Sequence, residues 1–221
     1  AVTATINTQL AVSVSIVASS NPVCSGSPVT FTATPVNGGS TPVYQWKLNG
    51  GDIGENLPTY TNLSPDDGDL VSCMLTSDIT CATGNPATSN EVSITVTPIP
   101  AITGTTPGSR CDAGTVTLGA TSSAGTINWY SASTGGASIG TGTSYTTPSI
   151  SSTTTYYVDA TANGCTTGTR TAITATINTT PTILTTTPAA RCDAGTVTLG
   201  ATASGGTINW YAASTGGASI G

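Results

Sequence analysis

The 221 residues carry four Lys+Arg against ten Asp+Glu and no histidine, a net charge of −6 with only 6% of residues charged. Such a surface repels nucleic acid and anionic membranes, and it lacks the residue that most often serves as general base and metal ligand. No apolar run is long enough to span a bilayer, yet 37% hydrophobic residues suffice for small cores. Thr, Ser and Gly fill the remainder. Thr and Val are stiff at χ1 and suit pleated strands, and no apolar stripe recurs at helical spacing, so the chain reads as all-β.

Residues 1–8 (AVTATINT) match residues 172–179 (AITATINT), so residues 1–9 read as the terminal strand of a preceding module. Residues 10–98 read as one complete module, with strands expected at 29–34, 43–48, 70–75 and 91–97. Seven acids and one base, Lys47, fall in this module; the rest of the chain is near neutral. Residues 99–179 form a second kind of module, with strands expected at 115–120, 126–130, 155–161 and 171–178. Residues 180–221 read as an incomplete copy of it. Residues 110–140 and 191–221 differ at three positions only (Ser122/Ala203, Ala124/Gly205, Ser131/Ala212), with a period of 81 residues between Cys111 and Cys192. Strands at this spacing point to tandem β-sandwiches, a bead-like array. The joints at 97–103 (TPIPAIT) and 178–184 (NTTPTIL) carry proline, which fixes φ and makes them stiff.

Each module has one tryptophan on an early strand: Trp46, Trp129 and, in the partial copy, Trp210. An indole buries a large area, so each is expected to pin a core. Six cysteines invite three bridges, but the repeat suggests two. Cys111 precedes the second strand and Cys165 sits in the turn before the last one; Cys24 and Cys81 hold the same places in the first module. The expected pairs are therefore Cys111–Cys165 and Cys24–Cys81, with Cys192 unpartnered and Cys73 a buried thiol. The alternative, reduced thiols throughout, stays open, although placement near turns favours bridges. Bridges recurring once per module imply an oxidising, extracytoplasmic setting.

The stretches YQWKLNG (44–50), DDGDLVSCMLTS (66–77) and CATGNPATSNEVSITV (81–96) resemble the immunoglobulin-like/PKD-like modules of large secreted Bacteroidetes proteins. Cys73 takes the usual place on the sixth strand, while Ala33 stands where the partner cysteine would be. CDAGTVTLGA, INWYSASTGG, GTSYTTPSISSTTTYYV and NGC resemble a second immunoglobulin-like module of the same proteins. The resemblance implies tandem immunoglobulin-like β-sandwiches, type IX secretion and adhesin-like surface display, and it brings no catalytic residues.

Chemistry is sparse. Without histidine the Ser-His and Cys-His nucleophile systems are missing, and the glycine-rich 133–142 lacks the lysine and helix of a phosphate loop. Asp66, Asp67 and Asp69 around Gly68 can offer oxygens to Ca²⁺, with Glu91 as a further ligand; the other reading is a turn whose carboxylates bond local amides. Tyr130 and Tyr157 should face away from Trp129 and Tyr156, either to stack on a sugar or to cover a half-exposed face. The expected function is a non-catalytic structural or adhesive repeat region, an extended stalk or fibre attached to the cell surface. Its partners would be neighbouring modules, other copies in a filament (including strand donation by residues 1–8), and a glycan or surface ligand. The competing expectations are a glycan- or protein-binding array, and an accessory spacer of a large secreted enzyme.

Overall fold

Alternation builds the sheets. Along Ser13–Ala18 and Val29–Val36 every second side chain turns inward, which places Val14, Ile16, Val29, Phe31 and Ala33 on one buried face. In the computed structural model, which describes residues 8–221, these strands pair antiparallel and Thr59–Asn62 closes a three-stranded sheet. The facing sheet holds Gly51–Ile53, Val43–Leu48, Leu70–Thr76 and then the short Ala87–Thr88 and Val92–Ser93, all antiparallel. The fourth expected strand, 91–97, is broken: Ile94 turns into the core, and Val96–Thr97 pairs in parallel with Val23–Cys24. Ser13–Ala18 and Thr59–Asn62 are strands beyond the four expected in this module. The expected terminal strand, residues 1–9, and its donation to another chain fall largely on residues 1–7, outside the described residues.

The second module repeats the plan. Ile102–Thr106, Thr117–Ser122 and Ser144–Thr146 form one sheet. Gly108–Cys111, Thr171–Asn178, Thr154–Ala162, Thr126–Tyr130 and Gly140–Thr141 form the other, with Cys165–Thr166 folded back on Thr154–Ala162. Pro107 explains why the first strand changes sheets. It has no N–H for the ladder, so pairing with Thr117–Ser122 ends there and resumes in parallel beside Thr171–Asn178. Gly108 permits the crossing, since a Cβ there would lie 2.4 Å from the Thr117 carbonyl oxygen.

Each module closes its own core. Phe31, Trp46, Val71, Cys73 and Leu75 centre the first; Leu118, Ile127, Trp129, Val158 and Ile173 centre the second. Both indoles are fully buried, and each N–H donates to a loop carbonyl: Trp46 to Leu57 O (2.9 Å), Trp129 to Gly142 O (2.8 Å). Burial pushes the Cys73 thiol up to about 11, so it stays protonated and unreactive at neutral pH.

Trp210 departs from expectation. It is only half-buried, and Leu199 is 52% exposed where its counterpart Leu118 is 1% exposed. The two copies have the same apolar residues at these positions. What differs is that residues 180–221 contain no counterpart of Thr154–Ala162 or Thr171–Asn178, so only Ile183–Thr187 and Gly200–Ala203 pair and no second sheet covers them.

Candidate functional site: the joint between modules

The structure corrects the expected cysteine pairing. Cys24 is bonded to Cys165, across 141 residues and from one module to the other; Cys73, Cys81, Cys111 and Cys192 are free. The within-module pairs Cys24–Cys81 and Cys111–Cys165 fail because their members sit at opposite ends of a sandwich. Cys24 and Cys111 lie beside the end of the last strand, opposite Thr97 and Asn178 respectively. Cys81 lies in, and Cys165 directly after, the turn at the far pole, before the chain enters that strand. Thr171–Asn178 alone, eight residues long, spans roughly 25 Å, whereas bonded cysteines need Cα atoms within about 7 Å. Sequence spacing revealed which cysteines were equivalent but not which pole each occupied.

Around the bond, the linker itself is gripped. Ser25 N–H donates to Thr97 O (2.9 Å), holding the outgoing chain against the first module. On the other side the buried Cys165 lies near Thr97 O, and the Thr167 hydroxyl donates to Pro100 O (3.2 Å). Pro98 and Pro100 fix φ on either side of Ile99, and Pro100 is buried. The next joint shows half of the same arrangement. Asp112 N–H donates to Asn178 O (2.8 Å), and the Asp112 carboxylate accepts from the Thr180 hydroxyl and from its amide (3.1 Å). The Thr180 hydroxyl, then its amide, hold the Asp112 carboxyl below its ordinary value.

The other sequence candidates do not assemble into a site. Asp69 is buried, and its carboxylate accepts from the Asn49 amide (2.9 Å), the Asn62 amide (3.4 Å) and Asp66 N–H (3.0 Å). Asp67 instead accepts from Val96 N–H (2.8 Å). The Asp69 and Asp67 carboxylates are thus engaged by the protein's own donors while Asp66 is exposed, and no cluster of three metal-ligating side chains occurs among the described residues. Tyr130 and Tyr157 are cross-strand partners on the outer face. Arg170 lies 3.2 Å from the centroid of the Tyr130 ring, capping it, and donates to Ala132 O and Gly135 O. The groove of 510 Å³ beside Arg170 thus has its one cation already bonded to the protein's own loop.

Residues 99–178 match the family model described as "Ig-like domain CHU_C associated". This stretch is an Ig-like module. The same two-sheet plan recurs in residues 10–98, so the chain is all-β, with two β-sandwiches of the Ig-like kind in tandem. Among solved structures, three N-terminal domains of the bacteriophage RB49 Hoc protein align at 16% identity over 87% of this chain and 68% of theirs, with a TM-score of 0.43. Fibronectin(III)-like modules of Clostridium thermocellum CbhA align at 14% over 74% and 94% (TM-score 0.42), and a marsupial T cell receptor at 10% over 78% and 77% (0.44). No curated protein matches the chain. Ig-like families are generally non-catalytic, and among the described residues no helix is long and apolar enough to cross a membrane.

Proposed function

We propose that this chain is a segment of a secreted, cell-surface-attached stalk or fibre whose task is mechanical. The observation that carries the reading is the Cys24–Cys165 bond, which ties one Ig-like module to the next rather than stapling a single module. A spacer with independently folded beads has no use for such a bond; a string that carries tension does. Stiff prolines at the joint, a separate core in each module and near-identical copies at a fixed period support the same reading. Extracellular placement follows from the bond, since thiols in a reducing cytosol would stay open. Resemblance to modules of large Bacteroidetes surface proteins supports surface attachment and export by the type IX route. The partners are neighbouring modules, and a glycan or surface ligand would be met elsewhere on the stalk.

Electron microscopy of material shed from the producing cell tests this. Single-file strings with beads at roughly 35–45 Å spacing are expected for sandwiches of this size. Wide, multi-chain filaments, or isolated globular particles, would overturn it.

A further inference from the structure

The two modules present the same cysteines at the same poles, yet only the joint at 97–103 has a complete module on both sides. At the outgoing pole, Cys24 stands opposite Thr97 in a parallel pair and Ser25 N–H donates to Thr97 O at 2.9 Å. In the second module Cys111 stands opposite Asn178 in the same parallel pairing, and Asp112 N–H donates to Asn178 O at 2.8 Å. At the incoming pole, Cys165 opens the stretch CTTG and lies against the linker at Thr97. Cys81 opens the stretch CATG, and its carbonyl accepts from Leu10 N–H (3.2 Å) on the chain entering the first module. Cys111 is thus the counterpart of Cys24, and Cys81 that of Cys165. Both are exposed and unbonded.

We infer that Cys111 and Cys81 are the two open halves of further inter-module clamps. Cys111 takes the turn cysteine of an Ig-like module stacked beyond Asn178, and Cys81 takes the outgoing-pole cysteine of a module stacked before Leu10. The array then carries one disulfide at every joint, and each module is bonded to both neighbours. Two features fit this role. Cys81 sits in the left-handed region (φ 64°), which Gly or Asn would occupy with less strain, so the position is better explained by its thiol than by its backbone. Thr180 is fastened to Asp112, directly beside Cys111, so the outgoing chain leaves that pole in a set direction. Each bond forms from two thiols. Their two electrons reduce the disulfide of an extracytoplasmic thiol oxidoreductase, which departs as a dithiol carrying the two protons.

The inference rests on the end-to-end array proposed above, and its test does not depend on any image of a fibre. The 221-residue chain is extended after Gly221 by a second copy of residues 141–179, which completes the third module, and is secreted into an oxidising compartment. Free thiols are then alkylated and mapped by mass spectrometry without reduction. Trypsin cuts after Arg110, Arg170 and Arg191, so Cys111 and Cys192 fall on different peptides. The expected result is that Cys111 alkylation falls from near-complete in the unextended chain to near zero, with Cys111 linked to the appended turn cysteine while Cys192 stays alkylated. Retention of Cys24–Cys165 and protection of Cys73 report that the first two modules are folded. With that control met, protection of Cys192 instead of Cys111 means within-module bonding and overturns the inference. So does a free Cys111. A covalent dimer that dissolves on reduction would place the partner thiol in a second copy and would equally overturn a clamp along the chain.

Discussion

Replacing both Cys24 and Cys165 by Ser removes the inter-module bond while leaving both cores intact, and the structure sets the size of the effect. When the second module unfolds alone, Cys24 remains anchored opposite Thr97 in the folded first module. The bond therefore ties Cys165 back to the start of the linker and closes a loop of about 70 residues through the unfolded module. In the chain-entropy model such a loop costs the unfolded state about 4 kcal/mol. The same length separates Cys24 from Thr97, so unfolding the first module alone meets a similar penalty. For sandwiches of this size, about 4 kcal/mol corresponds to a fall in Tm of roughly 15–25 °C. Differential scanning calorimetry of the double variant should show both transitions lowered and less coupled, with the folded-state circular dichroism unchanged. Cys111→Ser, in contrast, should leave both transitions of the 221-residue chain in place. The reasoning is refuted if the double variant melts like the parent, or if Cys111→Ser produces the loss.

Trp129→Ala empties the centre of the second core and leaves the Gly142 carbonyl without its donor; a loss of about 3–5 kcal/mol should abolish that transition in calorimetry while the first module still melts. Asp69→Ala strips an acceptor from the Asn49 and Asn62 amides and from Asp66 N–H, so chemical denaturation should show a loss of about 1–3 kcal/mol. Millimolar Ca²⁺ should leave the parent Tm unchanged, and a calcium-dependent rise would contradict the reading of 66–69 as a self-bonded turn. The Thr41 and then the Ser40 hydroxyl hold the Asp78 carboxyl at about 2, below its ordinary 3.8. A lowered acid contributes stability that is fully present above its unfolded value and is lost as pH falls through its folded one. Asp78→Asn should therefore flatten the fall of the first module's Tm between about pH 4 and pH 2, whereas an unchanged acid profile would show that Asp78 contributes nothing there.

Much of the fold was legible because strand alternation and burial share a period. Val43–Leu48, Thr126–Tyr130 and Thr171–Asn178 have the boundaries that alternation suggests. Ser13–Ala18 (SVSIVA) alternates as clearly, yet the strands expected in residues 10–98 begin only at 29. Residues 91–97 alternate like one continuous strand, and nothing local shows that Ile94 must turn inward between two pairing partners. Trp210 shows the converse limit: its neighbours repeat those of Trp129, yet burial depends on strands that residues 180–221 do not contain. The repeat relates Cys24 to Cys111 and Cys81 to Cys165, but it does not pair them: the bond joins Cys24 to Cys165. Pairing depends on which pole a turn occupies, and that is set by the parallel registers Cys24–Thr97 and Cys111–Asn178, long-range facts with no local signal. Asp69 was misleading for a similar reason, since its three donors come from residues 49, 62 and 66.

The most direct test of a string tied across its joints is to pull the 221-residue chain from its two ends in a single-molecule instrument and then add reductant under load. The Cys24–Cys165 bond hides 141 residues from the pulling path. Its reduction should release one step of about 500 Å. Two separate releases of about 200 Å each would mean bonds confined within modules, and no release would mean that no bond carries the tension. Either result would contradict the account.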